Sequence, residues 1–261
     1  MKSIERLRFL LEKANKHNFV SIPDSARELK VSVETIRRDI NILCEQKKLK
    51  KVHGGAVPIR TAVRKDPVYS QRFQRNPLGR EAVAAAAAKL IRSGDVVTLD
   101  GGATTLLVAK HITGVENVTF VVGSLHVATT LIEKLESGEI SGTLILLGGT
   151  VRPHDRNAID AYAMESLNNF RFDIAFISAS AVAAQGVFNA SLSDIYMRKL
   201  IDQSTVSVLV ADSDKLGGTS THRFAAATDF DHIFVDNRAP VPQDLQELLD
   251  NSHTQLTVVP L

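Results

Sequence analysis

A single cysteine, Cys44, stands in 261 residues, so no disulfide can form within the chain. No apolar run approaches the roughly 18 residues that a membrane-spanning helix needs. The first residues, Met1 to Arg8, lack the apolar centre of a secretory signal. The expectation is a cytoplasmic protein with no membrane partner. The eight histidines, at 17, 53, 111, 126, 154, 222, 232 and 253, are scattered. No pair of them sits at a metal-ligand spacing with carboxylates or cysteines, which predicts no metal site, and no motif implies a cofactor. Net charge is small, at +2, but uneven: residues 1–60 hold 14 Lys+Arg against 7 Asp+Glu, and the remainder holds 17 against 22. A basic first quarter on an acidic body places a polyanion partner at the N-terminus only. The length suffices for two ordinary domains.

What is present centres on Val31 to Gly55. Val33, Ile36, Ile40 and Leu43 recur at spacings of three and four, which predicts one apolar stripe on a helix. Ser32 precedes it as the N-cap, and Glu34 suits the positive end of the helix dipole. Thr35, Arg37, Arg38 and Asn41 remain on the outer face, with side chains that reach base edges and phosphates in a major groove. An Arg-Arg pair alone is usually a solvated face. Here Lys47 to Lys51 and then Val52-His53-Gly54-Gly55 read as the arm and turn of a small β-wing. Lys50, Lys51, His53 and Gly54 join Ser32 and the helix residues as candidate DNA contacts. Upstream, Ser3–Lys16 carries a helical stripe, Phe19-Val20-Ser21 is a short extended piece able to pair with the wing, and Pro23 opens a second helix. The helix-turn-helix spans about residues 20–39. Asp39, among bases, is expected to orient Arg37 or Arg38 rather than meet DNA.

Residues 58–77 read as a linker, with prolines at 58, 67 and 77 and weak periodicity. From Leu78 the texture changes. An alanine-rich helix over Gly79–Ile91 is expected to pack closely on a sheet. Strand-like runs then alternate with helices. The strands are expected at Asp95–Leu99, Val118–Val122, Thr143–Leu147, Phe172–Ile177, Val206–Val210, His232–Val235 and Leu256–Val258. This predicts an α/β domain with a mainly parallel sheet, whose ligands bind beyond the carboxyl ends of the strands. The residues there are small and polar: Asp100, Gly101, Gly102, Ala103, Thr104 and Thr105; Gly123 and Ser124; Gly148 and Gly149, followed by Arg152; and Lys215. Glycines admit a ligand to the backbone, helix N-termini seat a phosphate, and the hydroxyls and cations favour an anionic polyol.

The first stretch resembles the winged helix-turn-helix of the DeoR family of bacterial transcriptional regulators. The family's Val-Ser, Thr-Ile-Arg-Arg-Asp and His-Gly-Gly are here Val31-Ser32, Thr35-Ile36-Arg37-Arg38-Asp39 and His53-Gly54-Gly55. The body resembles the family's C-terminal sensor domain, related in fold to ribose-5-phosphate isomerase and the coenzyme A transferases. Asp-x-Gly-x-Thr-Thr is matched at Asp100 to Thr105, Leu-Gly-Gly at Leu147 to Gly149, and Ala-Asp-Ser-x-Lys at Ala211 to Lys215. Thr-Asn-Ser is reduced to Val122-Gly123-Ser124. Serine replaces a glycine at Ser178, Asp160 replaces another, and Asp194 stands where glutamate is common. The resemblance implies a DNA-binding head over residues 1–57, a linker over 58–77 and an effector-sensing, oligomerising domain over 78–261. It implies a repressor of carbohydrate-catabolic genes that binds double-stranded operator DNA as a dimer or tetramer and is released by a phosphorylated sugar.

Two other readings stay open. An isomerase-like enzyme would use Asp100, Asp194 and Lys215 as acid–base groups, but such an enzyme has no evident use for a DNA-binding head. A ligand-independent regulator would use the body only to oligomerise, with the altered pocket positions as its signature.

Overall fold

The computed structural model describes residues 3–17, 19–46, 48–52, 54–58, 76–153, 156–190 and 194–261. Most of the predicted linker and His53 lie outside the described residues.

The head holds helices α1 (Ser3–His17), α2 (Ile22–Leu29) and α3 (Val33–Glu45), with strands β1 (Val20–Ser21), β2 (Leu49–Val52) and β3 (Gly55–Pro58). The apolar stripe makes a core of Leu10, Ala14, Val20, Ala26, Ile36, Ile40, Leu43, Leu49 and Ala56. Ser21 caps α2 through the Asp24 N–H, and Ser32 caps α3 by accepting from the Thr35 N–H at 3.1 Å. β2 and β3 pair antiparallel as the wing. The predicted extended piece joins it as β1, with Val20 opposite Ala56 and Ser21 opposite Gly55. Gly55 is required there, because a Cβ would overlap the Val20 carbonyl and the Phe19 ring.

One expectation fails in the head. Asp39 orients neither Arg37 nor Arg38. Its carboxylate takes Arg6 of α1 in a two-pronged pair, Nε to Oδ2 at 2.8 Å and Nη2 to Oδ1 at 3.3 Å, with Asp39 buried. The partner lies 33 residues away in sequence. The pair pins α3 to α1 from inside and leaves the two arginines outside.

The body opens with α4 (Pro77–Ala88), then β4 (Val96–Leu99), α5 (Ala103–His111), β5 (Val118–Val122), α6 (Leu125–Glu136) and β6 (Gly142–Leu146). A hairpin, β7 (Val151–Arg152) and β8 (Asn157–Ala158), leads to α7 (Ala161–Leu167) and β9 (Phe172–Ser178). Then come β10 (Ala181–Ala183), β11 (Gly186–Asn189), α8 (Asp194–Asp202), β12 (Ser204–Val210), β13 (His222–Ala225), β14 (His232–Asp236), α9 (Gln243–Asp250) and β15 (Gln255–Val259). Seven strands form one parallel sheet in the order β15-β14-β12-β9-β4-β5-β6. The predicted strands stand within two residues of their expected ends. Two pieces escaped the sequence reading: the β7–β8 hairpin and the antiparallel sheet β10-β11-β13.

Alternation along the strands divides the core. Ile174, Phe176, Val208 and Val210 face α4, α5 and α6, while Ala175, Ile177 and Leu209 face α7, α8 and α9. Both faces are therefore covered, as a parallel sheet requires. The chain enters mid-sheet at β4, runs outward to β6, then returns to β9. The switch point lies between β4 and β9, where open α/β sheets bind ligands.

α4 is tied to the carboxyl edge of this sheet. Arg80, 3 % exposed, donates Nε to Asp212 Oδ2 at 2.8 Å, and Asp212 is fully buried. Asn76 donates to Asp236 at the end of β14, and the same carboxylate accepts from the Ser213 N–H and hydroxyl. Replacing Arg80 with alanine leaves Asp212 charged and unpaired in the interior. The expected loss in unfolding free energy is about 3–5 kcal/mol. Urea denaturation measures it, and a change below about 0.5 kcal/mol, the size of a surface effect, contradicts the assignment.

Candidate nucleic-acid interface and effector cleft

On the head, α3 turns Ile36, Asp39, Ile40 and Leu43 inward, and Arg37 and Arg38 are exposed. Thr35 and Asn41 are half-buried. Thr35 Oγ1 shares a hydrogen bond with Ser32 Oγ at 2.8 Å, and Asn41 Oδ1 is buried without one. Arg37 donates to Glu34 one turn back at 2.8 Å. Arg38 makes no hydrogen bond or ion pair among the described residues, so its guanidinium is unspent. Lys50 and Lys51 are exposed on β2; Lys50 Nζ lies 2.6 Å from Asp244 of α9. Gly54 holds the wing turn at φ 77°, in the left-handed region that favours glycine. The structure thus brings Ser32, Thr35, Arg37, Arg38 and Asn41 together on one helix and Lys50, Lys51 and Gly54 on one hairpin.

On the body, the predicted effector residues divide. Asp100 ends β4 at the switch point and is buried. One oxygen accepts from the Gly102 N–H at 2.9 Å and from Thr105 Oγ1. The other accepts from the N–H and hydroxyl of Ser178, both at 2.8 Å. Asp100 therefore welds the end of β9 to the start of α5. Thr105 is held inside this weld and Thr104 is buried beside it. Gly101 and Gly102 are necessary because a Cβ would overlap Asn157 at the first and Ser178 at the second. Gly102 and Ser124 are the N-caps of α5 and α6, and neither start has a side-chain cap. Two helices on adjacent strands thus present their positive ends to the same edge.

The β7–β8 hairpin closes over this edge. Leu125 N–H donates to the Arg156 carbonyl at 3.0 Å, and Ala158 N–H to the Gly123 carbonyl at 2.8 Å. Asn157 bridges Ser124 and pairs across the hairpin with Arg152. This carries Arg152 to the cleft, whereas sequence spacing alone left its place open. Gly148 and Gly149 have φ of 78° and 98°. They sit farther out, where Gly149 makes room for the Asp160 carboxylate that accepts from Thr150 and caps α7. Lys215 ends a short turn (Ser213–Lys215) after β12, and in the sheet order β9 separates β12 from β4. Asp194 begins α8, but its side chain lies outside the described residues. Asn157, Tyr196 and Thr98 belong to this neighbourhood and were not singled out from sequence. Asn157 sits in a hairpin whose strands are two residues long, too short for a period to register, and a Tyr on an amphipathic helix reads equally as core.

Among the described residues, no group of three or more His, Cys, Asp or Glu is placed to hold a metal ion, and no helix is long and apolar enough to cross a membrane.

A family model described as the DeoR-like helix-turn-helix domain matches residues 6–62, and one described as the DeoR C terminal sensor domain matches residues 75–237. The chain is 32% identical to the HTH-type transcriptional repressor GlcR of Bacillus subtilis over 255 residues, covering 97% of this chain and 95% of that one. It is 27% identical to the glycerol-3-phosphate regulon repressor of Escherichia coli, covering 98% and 99%. Ribose 5-phosphate isomerase A of Methanocaldococcus jannaschii is a distant structural likeness, at TM-score 0.36 and 18% identity over 52% of this chain and 53% of that one.

His126, the second residue of α6, is held below the ordinary histidine range, first by burial and then by the charge of Arg156. Its proton is therefore bound more readily in the unfolded chain. The stability it contributes is present above the ordinary histidine range and is lost as pH falls through the lowered value. An NMR titration is expected to place His126 below the ordinary histidine range; an ordinary or raised value contradicts this packing.

Proposed function

This chain belongs to the DeoR family of DNA-binding transcriptional regulators, and from that premise we propose that it represses carbohydrate-catabolic genes and lets go of its operator when a phosphorylated sugar binds. It is a regulator and not an enzyme. The head, residues 1–57, reads double-stranded DNA; residues 58–77 tether it; and residues 78–261 sense the effector and join copies of the chain into a dimer or tetramer in the cytoplasm.

The observation that carries the reading is the division of labour on α3. The one acid in Thr35-Ile36-Arg37-Arg38-Asp39 is buried on Arg6, which leaves two arginines exposed. Arg38 and Arg37 enter the major groove with Thr35 and Asn41 beside them, and Ser32, Lys50, Lys51, His53 and Gly54 meet phosphates. The ligand's phosphate sits on the N–H groups of Ala103, Thr104 and Thr105 and at Gly123–Ser124, with Arg152 and Lys215 supplying charge from the rim. Gly101, Gly102, Gly148 and Gly149 shape the loops, and Asp100 and Asp194 flank them. The ligand must prefer the DNA-free arrangement, because equal affinity for both shifts nothing.

Fluorescence anisotropy with DNA from upstream of the protein's own gene tests the whole reading. Tight, salt-sensitive binding reversed by a sugar-phosphate pool is the expected result. Binding indifferent to the pool identifies a ligand-independent regulator instead. For the head, Arg38→Ala is expected to cost about 1–3 kcal/mol and relax preference at one base pair if the side chain reads a base. If it holds a phosphate, the loss is uniform across sequences and the salt slope falls by about one. Unchanged binding in both Arg37→Ala and Arg38→Ala removes α3 as the reading helix.

A further inference from the structure

The large sheet ends on one side at β6, and among the described residues no strand pairs with its outer edge. The bonds to β5 fix which backbone groups face outward. Val118 N–H donates to the Ser141 carbonyl, and Leu147 N–H donates to the Val122 carbonyl. Alternate residues of a parallel strand bond the same neighbour, so Ser141, Thr143, Ile145 and Leu147 turn to β5. Gly142, Leu144 and Leu146 therefore point their N–H and C=O groups away from the sheet. An edge of this kind is a template for another strand, and proteins blunt it with charges, proline or a bulge. β6 reads Gly-Thr-Leu-Ile-Leu in unbroken register with β5 and has none of these.

Apolar side chains flank the same edge. Leu146 lies on the face of Leu144, which packs on the core layer beneath α6, and Leu146 is 43 % exposed. α6 packs on β6, with Leu131 turned to the core. The next residue, Ile132, lies about 100° further round the helix and is 44 % exposed. In a right-handed crossover from β5 to β6, that step turns Ile132 toward the outer edge rather than toward α5. The opposite edge of the sheet, β15, has guards of its own. Pro260 follows the strand, and α9, which leads into it, holds Asp244, Glu247 and Asp250 with no base. Two copies joined there would set acid beside acid.

We propose that the outer edge of β6 is the surface by which two copies of this chain join, antiparallel about a two-fold axis beside Leu144, so that their two seven-stranded sheets become one. Leu144 then exchanges both backbone bonds with its copy, and Gly142 pairs with Leu146. A two-fold axis makes each of these contacts self-matching. The spacing of the covering helices agrees. Neighbouring strands lie ~4.8 Å apart, and each α6 stands over β5 and β6. Two strand spacings therefore separate the two copies of α6, about 10 Å, at which helices pack. Ile132 and Leu146 fill the seam between them. The inference rests on the oligomerising role given above to residues 78–261 and adds the surface that performs it.

The test uses the full chain with Leu146→Pro and Ile132→Lys. The Leu146 N–H faces outward, so proline there removes bonds to the second copy and none to β5. Lysine at an exposed helix position suits the single chain and not the seam. Circular dichroism checks the fold of each, and Ile132→Lys alone decides where proline disturbs it. Sedimentation equilibrium is expected to give wild type a mass at least twice that of one chain. In each folded variant the dissociation constant is expected to rise about tenfold or more. Hydrogen exchange is expected to find the Leu144 and Leu146 amides protected in wild type, although they face away from β5, and to find that protection lost on dilution. A dissociation constant unchanged in a folded variant, or amides at 144 and 146 that exchange freely in the oligomer, overturns the inference and leaves an oligomer built on another surface. A wild-type chain that stays monomeric at every concentration overturns the oligomerising role as well.

Discussion

Buried carboxylates need partners, and this constraint arranges the molecule. Asp212 and Asp236 end two adjacent strands of the sheet, β12 and β14, and both are fully buried. In so dry a place a lone charge is intolerable. Arg80 and Asn76, at the first turn of α4, answer them directly, and the backbone and hydroxyl of Ser213 complete the set. The geometry leaves little slack. Asn76 adopts φ 42°, and a Cβ on Gly79 would come within 2.5 Å of both Asn76 and Asp236. α4 is thereby fixed to the carboxyl edge of the sheet, the same edge that carries the candidate effector residues.

The same device recurs wherever two segments must be held in register. Asp39 holds α1 to the reading helix, Asp100 holds β9 to α5, and Asp160 holds the Gly148–Gly149 loop to α7. Several N–H bonds at the Asp160 carboxylate keep it below the ordinary range, with the Thr150 backbone the largest cause. This use of acids bears on the enzyme alternative. A general acid or base must reach a proton on the substrate. Asp100 instead spends both oxygens on four internal donors. The isomerase-like chemistry that its position invited has no free carboxylate at that residue.

Short-range physics was legible in the sequence. Helical period, N-caps and glycine-marked turns located the head, and β-branched runs located the sheet strands within two residues, because each signal is set by neighbours in the chain. What escaped depends on distance. The choice of Arg6 over Arg37 and Arg38 as the partner of Asp39 follows from α1 packing under α3, which no local pattern encodes. The β7–β8 hairpin has strands of two residues, too short for a period to register, and it alone brings Arg152 and Asn157 to the cleft. Tyr196 sits on a helix whose alternation says only that the residue is inside. Its phenol lies close to Gly123, which follows β5 and stands 73 positions earlier in the chain.

The turn that carries Lys215 is tied mechanically to the start of α4. Asp212 is the N-cap of the turn that ends in Lys215, accepting from the Asp214 N–H at 3.1 Å. The other oxygen of that carboxylate takes Arg80 at 2.8 Å. A displacement of the turn cannot leave Asp212 behind, because a fully buried carboxylate has no water to replace either bond. It must either carry Arg80 along, and with it the first turn of α4, or break a buried ion pair. The second course is the costlier, so a movement of this turn is felt first at Arg80 and the start of α4. Interfaces and packed cores switch between discrete arrangements rather than deform smoothly.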